Sequence, residues 1–214
     1  HACTIGTRNI IGLYMAHTGK GWRRSVIDLA KLIGIKIVET EFEREQFQKY
    51  RDNRLYLEQD LPTLFPNTSY FIEKYARKSY LRYFNDKGES LVLKEHFQYK
   101  NHNVFFISYR AIAKEMDKTN MQSVQNTVIL LNTLGFIERV PEQFIPSELK
   151  ERAERERKIL QQELRQQGEK GEKRARATRL INFYIVHNWN DMAYFIEKNA
   201  KVMKEQGFSV TKHK

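Results

Sequence analysis

Residues 104–140, VFFISYRAIAKEMDKTNMQSVQNTVILLNTLGFIERV, constrain the fold more than any other part of the chain, because the hydrophobic period changes there from strand to helix and back. The β-favouring run VFFIS leads to Ser108, which stands where an N-cap would open a short first helix with Ile112, Ala113 and Met116 on one face. Asp117, Lys118, Thr119 and Asn120 are turn residues. After them Val124, Val128, Leu131 and Leu134 recur at three- and four-residue spacing, the buried stripe of a second helix, and Gly135 stands at its C′ position. Residues 136–140, FIERV, then have the composition of a half-buried strand.

The order strand, helix, turn, helix, glycine, strand resembles the winged helix-turn-helix family. The resemblance implies that the second helix lies in the major groove of duplex DNA, with the side chains turned away from the core reaching base edges. Here those side chains are Gln122, Ser123, Gln125 and Asn126, with Asn132 further along, a set dominated by amides that can pair bidentately with adenine. Lys118 in the turn joins them as a DNA-binding candidate. An amide-rich face is equally what a merely solvated helix presents, and winged helices also dock proteins without touching nucleic acid.

Charge favours a polyanionic partner: 37 basic against 26 acidic residues give a formal net charge of +11 over 214 residues. Ribosomal or membrane-surface binding would share that sign. No apolar run approaches the roughly 20 residues that span a bilayer, and no signal-peptide pattern is present, so a cytoplasmic location is expected. The single cysteine, Cys3, excludes an intramolecular disulfide and fits a reducing compartment.

Upstream, residues 41–61 are polar and charge-rich, partly helical by composition, and read as a linker before a domain over 62–188. After Pro62 and Pro66, Asn67 or Thr68 is expected to cap an amphipathic helix. Its aromatic face, with Ile72, Tyr75, Tyr80 and Tyr83, packs inward, and its basic face offers Lys74 and Lys78 to phosphates. Asn85, Asp86, Lys87 and Gly88 are expected to end that helix, and residues 89–103 read as a loop or hairpin.

Downstream, the strand that would complete the wing reappears only at residues 181–186, INFYIV, leaving 141–180 as an insertion. Residues 147–167 read as a helix with a thin apolar stripe (Leu149, Ile159, Leu160, Leu164), expected to project from the body or to meet a partner. Residues 168–179 lose periodicity and collect Lys170, Lys173, Arg174, Arg176 and Arg179, suited either to phosphates or to a solvated loop. A C-terminal helix within 189–214, opened by Asn188 or Asn190, offers Met192, Phe195, Ile196 and Met203 for packing and ends at Gly207.

Residues 1–40 read as a strand over 10–15, a turn at 18–21, and a helix from Ser25 to Gly34 in which Ser25 and Asp28 have capping-box spacing. The stretch GLYMAHTGKGWRRSVIDLAKLIGI resembles the closing half of the zinc ribbon in bacterial DNA primases. It departs where that family has a cysteine pair: Ala16, His17 and Thr18 stand there, and Cys3 with His17 supply two of the four ligands a tetrahedral zinc needs, so no metal is expected. The start at His1, without a cap or leader, suggests a piece of a longer protein.

Phosphate-binding loop, dinucleotide fingerprint, nucleophile elbow and H-E-x-x-H patterns are all missing, so neither catalysis nor a cofactor is expected, and any primase-like catalytic part would lie outside this chain. The sequence therefore predicts a mainly α, small-β (α+β) chain: a winged helix-turn-helix with a long helical insertion in the wing. The expected function is duplex DNA binding in replication of a mobile genetic element, as in plasmid and phage replication proteins, with a replication protein as a further partner. The alternatives are a transcriptional regulator and a protein-docking adaptor of a replication complex.

Overall fold

The computed structural model describes residues 10–19, 22–36, 38–73, 77–92, 97–166 and 181–207. Among them the chain is mainly helical with small antiparallel sheets, and it divides into two compact units, residues 1–44 and 45–214.

In the first unit, α1 (Ile10–Thr18) packs with α2 (Trp22–Leu32). The strand expected over 10–15 is thus a helix, because an apolar run too short to show its period fits either structure. Thr18 Oγ1 donates back to Tyr14 O (2.7 Å), a bond that a helix allows between residues four apart. Ser25 lies inside α2, buried, rather than at its cap, and Asp28 accepts from Tyr14 Oη across the two helices (3.5 Å).

The division between the units falls inside α3 (Glu41–Glu58). A reciprocal box opens this helix: Thr40 Oγ1 accepts from Glu43 N (3.2 Å), and Glu43 Oε2 accepts from Thr40 N (2.8 Å). The expected linker over 41–61 is therefore corrected. In the second unit Gln46, Lys49, Tyr50, Asn53, Tyr56 and Leu57 form one buried stripe at helical spacing. Half of that stripe is polar, which hid it from hydrophobic patterning, and its Gln46, Lys49 and Asn53 side chains are satisfied internally. Asn53 Nδ2 donates to Asn85 Oδ1 (3.0 Å) and to His187 O (2.9 Å), while Asn53 Oδ1 accepts from Trp189 N (2.8 Å).

The expected amphipathic helix is split into α5 (Pro66–Ile72), after the single turn α4 (Leu61–Leu64), and α6 (Lys78–Ser90). Neither Asn67 nor Thr68 is the N-cap of α5. The Glu197 carboxylate of the C-terminal helix takes that role, accepting from Asn67 N (3.0 Å) and Thr68 N (2.9 Å). Gly88 does not end α6 but is buried within it, where a Cβ would stand 2.5 Å from Tyr50 Oη. The loop over 89–103 contains a small hairpin, β1 (Gln98–Tyr99) with β2 (His102–Asn103).

The central pattern has the expected elements. β3 (Phe105–Ser108) ends at Ser108, whose side chain accepts from Ala111 N and caps α7 (Tyr109–Glu115). Asp117 turns left-handed (φ 48°) and Lys118 N returns to Ala113 O (2.8 Å), closing that helix. Asn120 caps α8 (Met121–Leu134) by accepting from Gln122 N and Ser123 N, and Gly135 ends it at φ 95°. The second strand, β4 (Ile137–Arg139), pairs with β5 (Ile181–Val186), and β5 pairs with β3, both antiparallel, giving the order β3-β5-β4.

One face of this sheet meets α6, α7 and α8. There Val124, Val128, Leu131 and Leu134 join Phe84, Phe105, Phe136, Tyr184 and Trp189 in the main core. The other face carries Val104, Phe106, Val140 and Ile185 against Phe97, Ile145, Leu149 and Ala153. The insertion helix α9 (Ser147–Arg165) thus docks its first turns through Leu149 and Ala153, a correction to a helix expected to project from the body or to meet a partner. Beyond them Ile159 is exposed, as the thin stripe implied. The C-terminal helix α10 (Trp189–Glu205) buries Ile196, Ala200 and Met203, but Phe195, expected to pack, is 54% exposed.

Candidate nucleic-acid interface

α8 owes its outward face to its phase. With Val124, Val128, Leu131 and Leu134 inward, the row Gln122, Asn126, Ile129, Thr133 must turn outward at four-, three- and four-residue steps. Gln122 and Ser123 are exposed, Gln125 and Asn126 half-buried, and Lys118 exposed just before the helix. These five expected DNA contacts cluster within the first two turns and the turn that precedes them. Gln122 Nε2 donates to Asn126 Oδ1 (2.8 Å), so the two amides are held side by side with one donor group and one acceptor group engaged. A base edge must displace or extend that bond.

The remaining expected contacts fare differently. Asn132 is a structural residue: its Oδ1 accepts from Arg139 N (2.9 Å), tying the end of α8 to β4, so it is removed from the reading set. Lys78 pairs with Glu73 (2.9 Å) at the start of α6 instead of presenting a free charge. Lys74, Arg174, Arg176 and Arg179 lie outside the described residues.

α8 itself carries no charged side chain. Any phosphate contacts must come from neighbouring elements, and the structure supplies two cations that the sequence reading missed. Arg139 on β4 is exposed, and its backbone is fixed to α8 through Asn132. Lys198 on α10 lines, with Ile129, Thr133, Asn199, Val202, Met203 and Gln206, a groove of about 490 Å³ along the second half of α8. Asn199 Nδ2 donates to Leu134 O (3.2 Å), capping α8 and setting the position of α10 against it. Lys198 was invisible because no sequence pattern told which face of α10 meets α8. Arg139 was visible as a strand residue, but its exposure depends on the pairing register with β5.

From beneath, Tyr80 of α6 supports the helix through its hydroxyl and Thr127; burial raises its pKa above the usual tyrosine value, and this hydrogen bond partly offsets the rise. The groove floor is apolar, with Ile129 45% and Val202 41% exposed. Among the described residues no group of three or more His, Cys, Asp or Glu side chains could hold a metal ion, and no helix is long and apolar enough to cross a membrane.

No protein-family model matches this chain, and neither a curated protein nor a solved structure does.

Proposed function

We propose that the chain is a DNA-binding protein of the winged helix-turn-helix type, with α8 as the reading helix and β4–β5 as the wing. The observation that carries the reading is the outward row of α8. Its start is uncharged, with Gln122 and Asn126 joined by a hydrogen bond and Lys118 just before it, while Arg139 and Lys198 lie toward its far end. Neutral amides discriminate bases, whereas the flanking cations meet phosphates and set orientation. The strand order β3-β5-β4, with α7 and α8 between the first and second strands in sequence, is the arrangement such domains use.

Replication of a mobile element is the setting that the N-terminal resemblance implied. α1 replaces the strand on which that resemblance was drawn, so the reading rests on α8 and not on the first unit. A transcriptional regulator would use the same geometry. The adaptor reading is favoured by one observation of its own, the exposed Ile129 and Val202 in the α8–α10 groove.

Electrophoretic shift of duplex DNA across salt tests the proposal. Duplex binding that weakens steeply as salt rises is the expected result, because released counterions drive it. Absence of any shift at low salt, or one indifferent to salt, overturns DNA binding and leaves the adaptor reading in its place.

A further inference from the structure

A second cluster of ionisable groups lies away from the reading helix, where α3, the β1–β2 hairpin and the sheet meet. Lys49 of α3 is buried (6% exposed), and its ammonium group donates to Gln46 Oε1 (2.6 Å) and lies 3.4 Å from His102 Nδ1. The His102 ring stands edge to face with His187, centroids 5.1 Å apart. His187 Nε2 is 3.4 Å from Glu138 Oε2 of β4, and Glu138 Oε1 accepts from Lys100 Nζ of the hairpin turn (2.7 Å). Lys100 also lies over the Tyr99 ring. The chain therefore runs from α3 through β2 and the end of β5 to β4, and returns to the hairpin.

The hairpin is fixed to α3 by the same groups. Gln46 Oε1 accepts from Asn103 N (3.1 Å), Gln46 Nε2 donates to Asn101 O (2.8 Å), and Tyr50 Oη donates to Asn103 Oδ1. Lys49 holds Gln46 by its amide oxygen, so whatever displaces Lys49 also loosens the hairpin.

We propose that Lys49, His102, His187 and Glu138 form a proton-operated latch that fastens the β1–β2 hairpin to α3 and β4, closed at neutral and alkaline pH and released by acid. The chemistry follows from the donors. In the closed state His102 Nδ1 accepts from Lys49 and so carries no proton. Protonating that nitrogen sets N–H against N–H and places an imidazolium beside the Lys49 ammonium and against a second imidazole. Burial, with the nearby Lys49, His187 and Lys100, already holds His102 down to about 3, and burial alone brings Lys49 down to about 7. His187 is lowered by burial and by Lys49 and Lys100, against an opposing pull from Glu138.

The signs agree. A folded-state pKa below the unfolded one means that the folded form binds fewer protons, so stability is lost as pH falls. For Lys49 the loss spans pH 10.5 to about 7, and for His102 it spans 6.5 to about 3. One proton taken up on opening makes the opening constant rise toward tenfold per pH unit well inside its window, and about 15-fold from pH 6.5, where the open form is already half protonated, to pH 5.

Amide hydrogen exchange of the full chain, corrected for intrinsic rates, reads that constant at Asn103 and Val104. Protection there should fall about 15-fold between pH 6.5 and 5 in the wild type. It should fall less than threefold in Lys49→Met/His102→Phe/His187→Phe, in which no lysine or histidine of the latch remains. A proton titration of the His102 ring in the wild type guards against a variant that does not fold: the ring should stay neutral down to pH 5 while the hairpin is protected. Ordinary His102 titration near 6.5 with hairpin protection unchanged to pH 5 would overturn the latch. Neither readout depends on DNA.

Discussion

Gly88 shows how a single residue can carry a constraint that its neighbours in sequence conceal. The run Asn85-Asp86-Lys87-Gly88 has the composition of a helix stop, yet α6 continues to Ser90 because Gly88 lets Tyr50 of α3 pass against its backbone. Tyr50 is fully buried and hydrogen-bonded to Asn103, so it has nowhere to go. Gly88→Ala should therefore lower stability by about 1–3 kcal/mol through overpacking, despite the better helix propensity of alanine. Urea denaturation checks this as a lower midpoint at unchanged slope; a midpoint at or above that of the wild type would mean that Tyr50 is not held as described. The amides of α8 lie at the opposite extreme. Their identity and phase were readable, because Val124, Val128, Leu131 and Leu134 set the phase, but the Gln122–Asn126 bond and the diversion of Asn132 to Arg139 N depend on rotamers and on β4.

Among elements, those with a strong apolar period were legible: Ser108 stands as a cap, Gly135 closes α8, and β4 and β5 pair across the insertion, whereas Asn120, read only as a turn residue, caps α8. Where burial is polar, or where the cap comes from a distant residue, the sequence misleads. α3 looked like a linker because Gln46 and Asn53 depend on partners far away in sequence, and Lys49 is held by Gln46 beside His102. The start of α5 is capped by Glu197 of α10, about 130 residues distant, and no local window contains that information. The insertion is a mixed case. Leu149 and Ala153 cover Phe97, Phe106 and Ile185, so deleting residues 141–180 should cost stability, with Leu149 alone worth about 1.5–3 kcal/mol of burial. Because the run 168–179 has no apolar period in sequence, replacing Lys170, Lys173, Arg174, Arg176 and Arg179 by glutamine should instead leave the melting temperature within about 2 °C. If these residues meet phosphates, the same variant makes the slope of log affinity against log salt shallower by up to about 0.9 per lost contact. An unchanged slope with retained folding would assign them to solvent.

Taken whole, the molecule separates what holds it from what it presents. The main core joins α3, α6, α8, α10 and the three-stranded sheet, and α8 is anchored on several sides: by its stripe below, by Asn199 at its end, and through Asn132 to β4. A helix so fixed can present Gln122, Gln125 and Asn126 on an unmoved backbone, and on the proposed reading the net charge of +11 would supply the attraction to DNA that these neutral groups lack. The central claim is that α8 reads base sequence, and selection of bound sites from random duplexes addresses it most directly. The wild-type chain should enrich a defined site. Gln122→Ala/Gln125→Ala/Asn126→Ala should keep non-specific affinity but lose preference at one or two base pairs, each worth about 1–3 kcal/mol. Enrichment of the same site with undiminished discrimination by the triple variant would contradict the account.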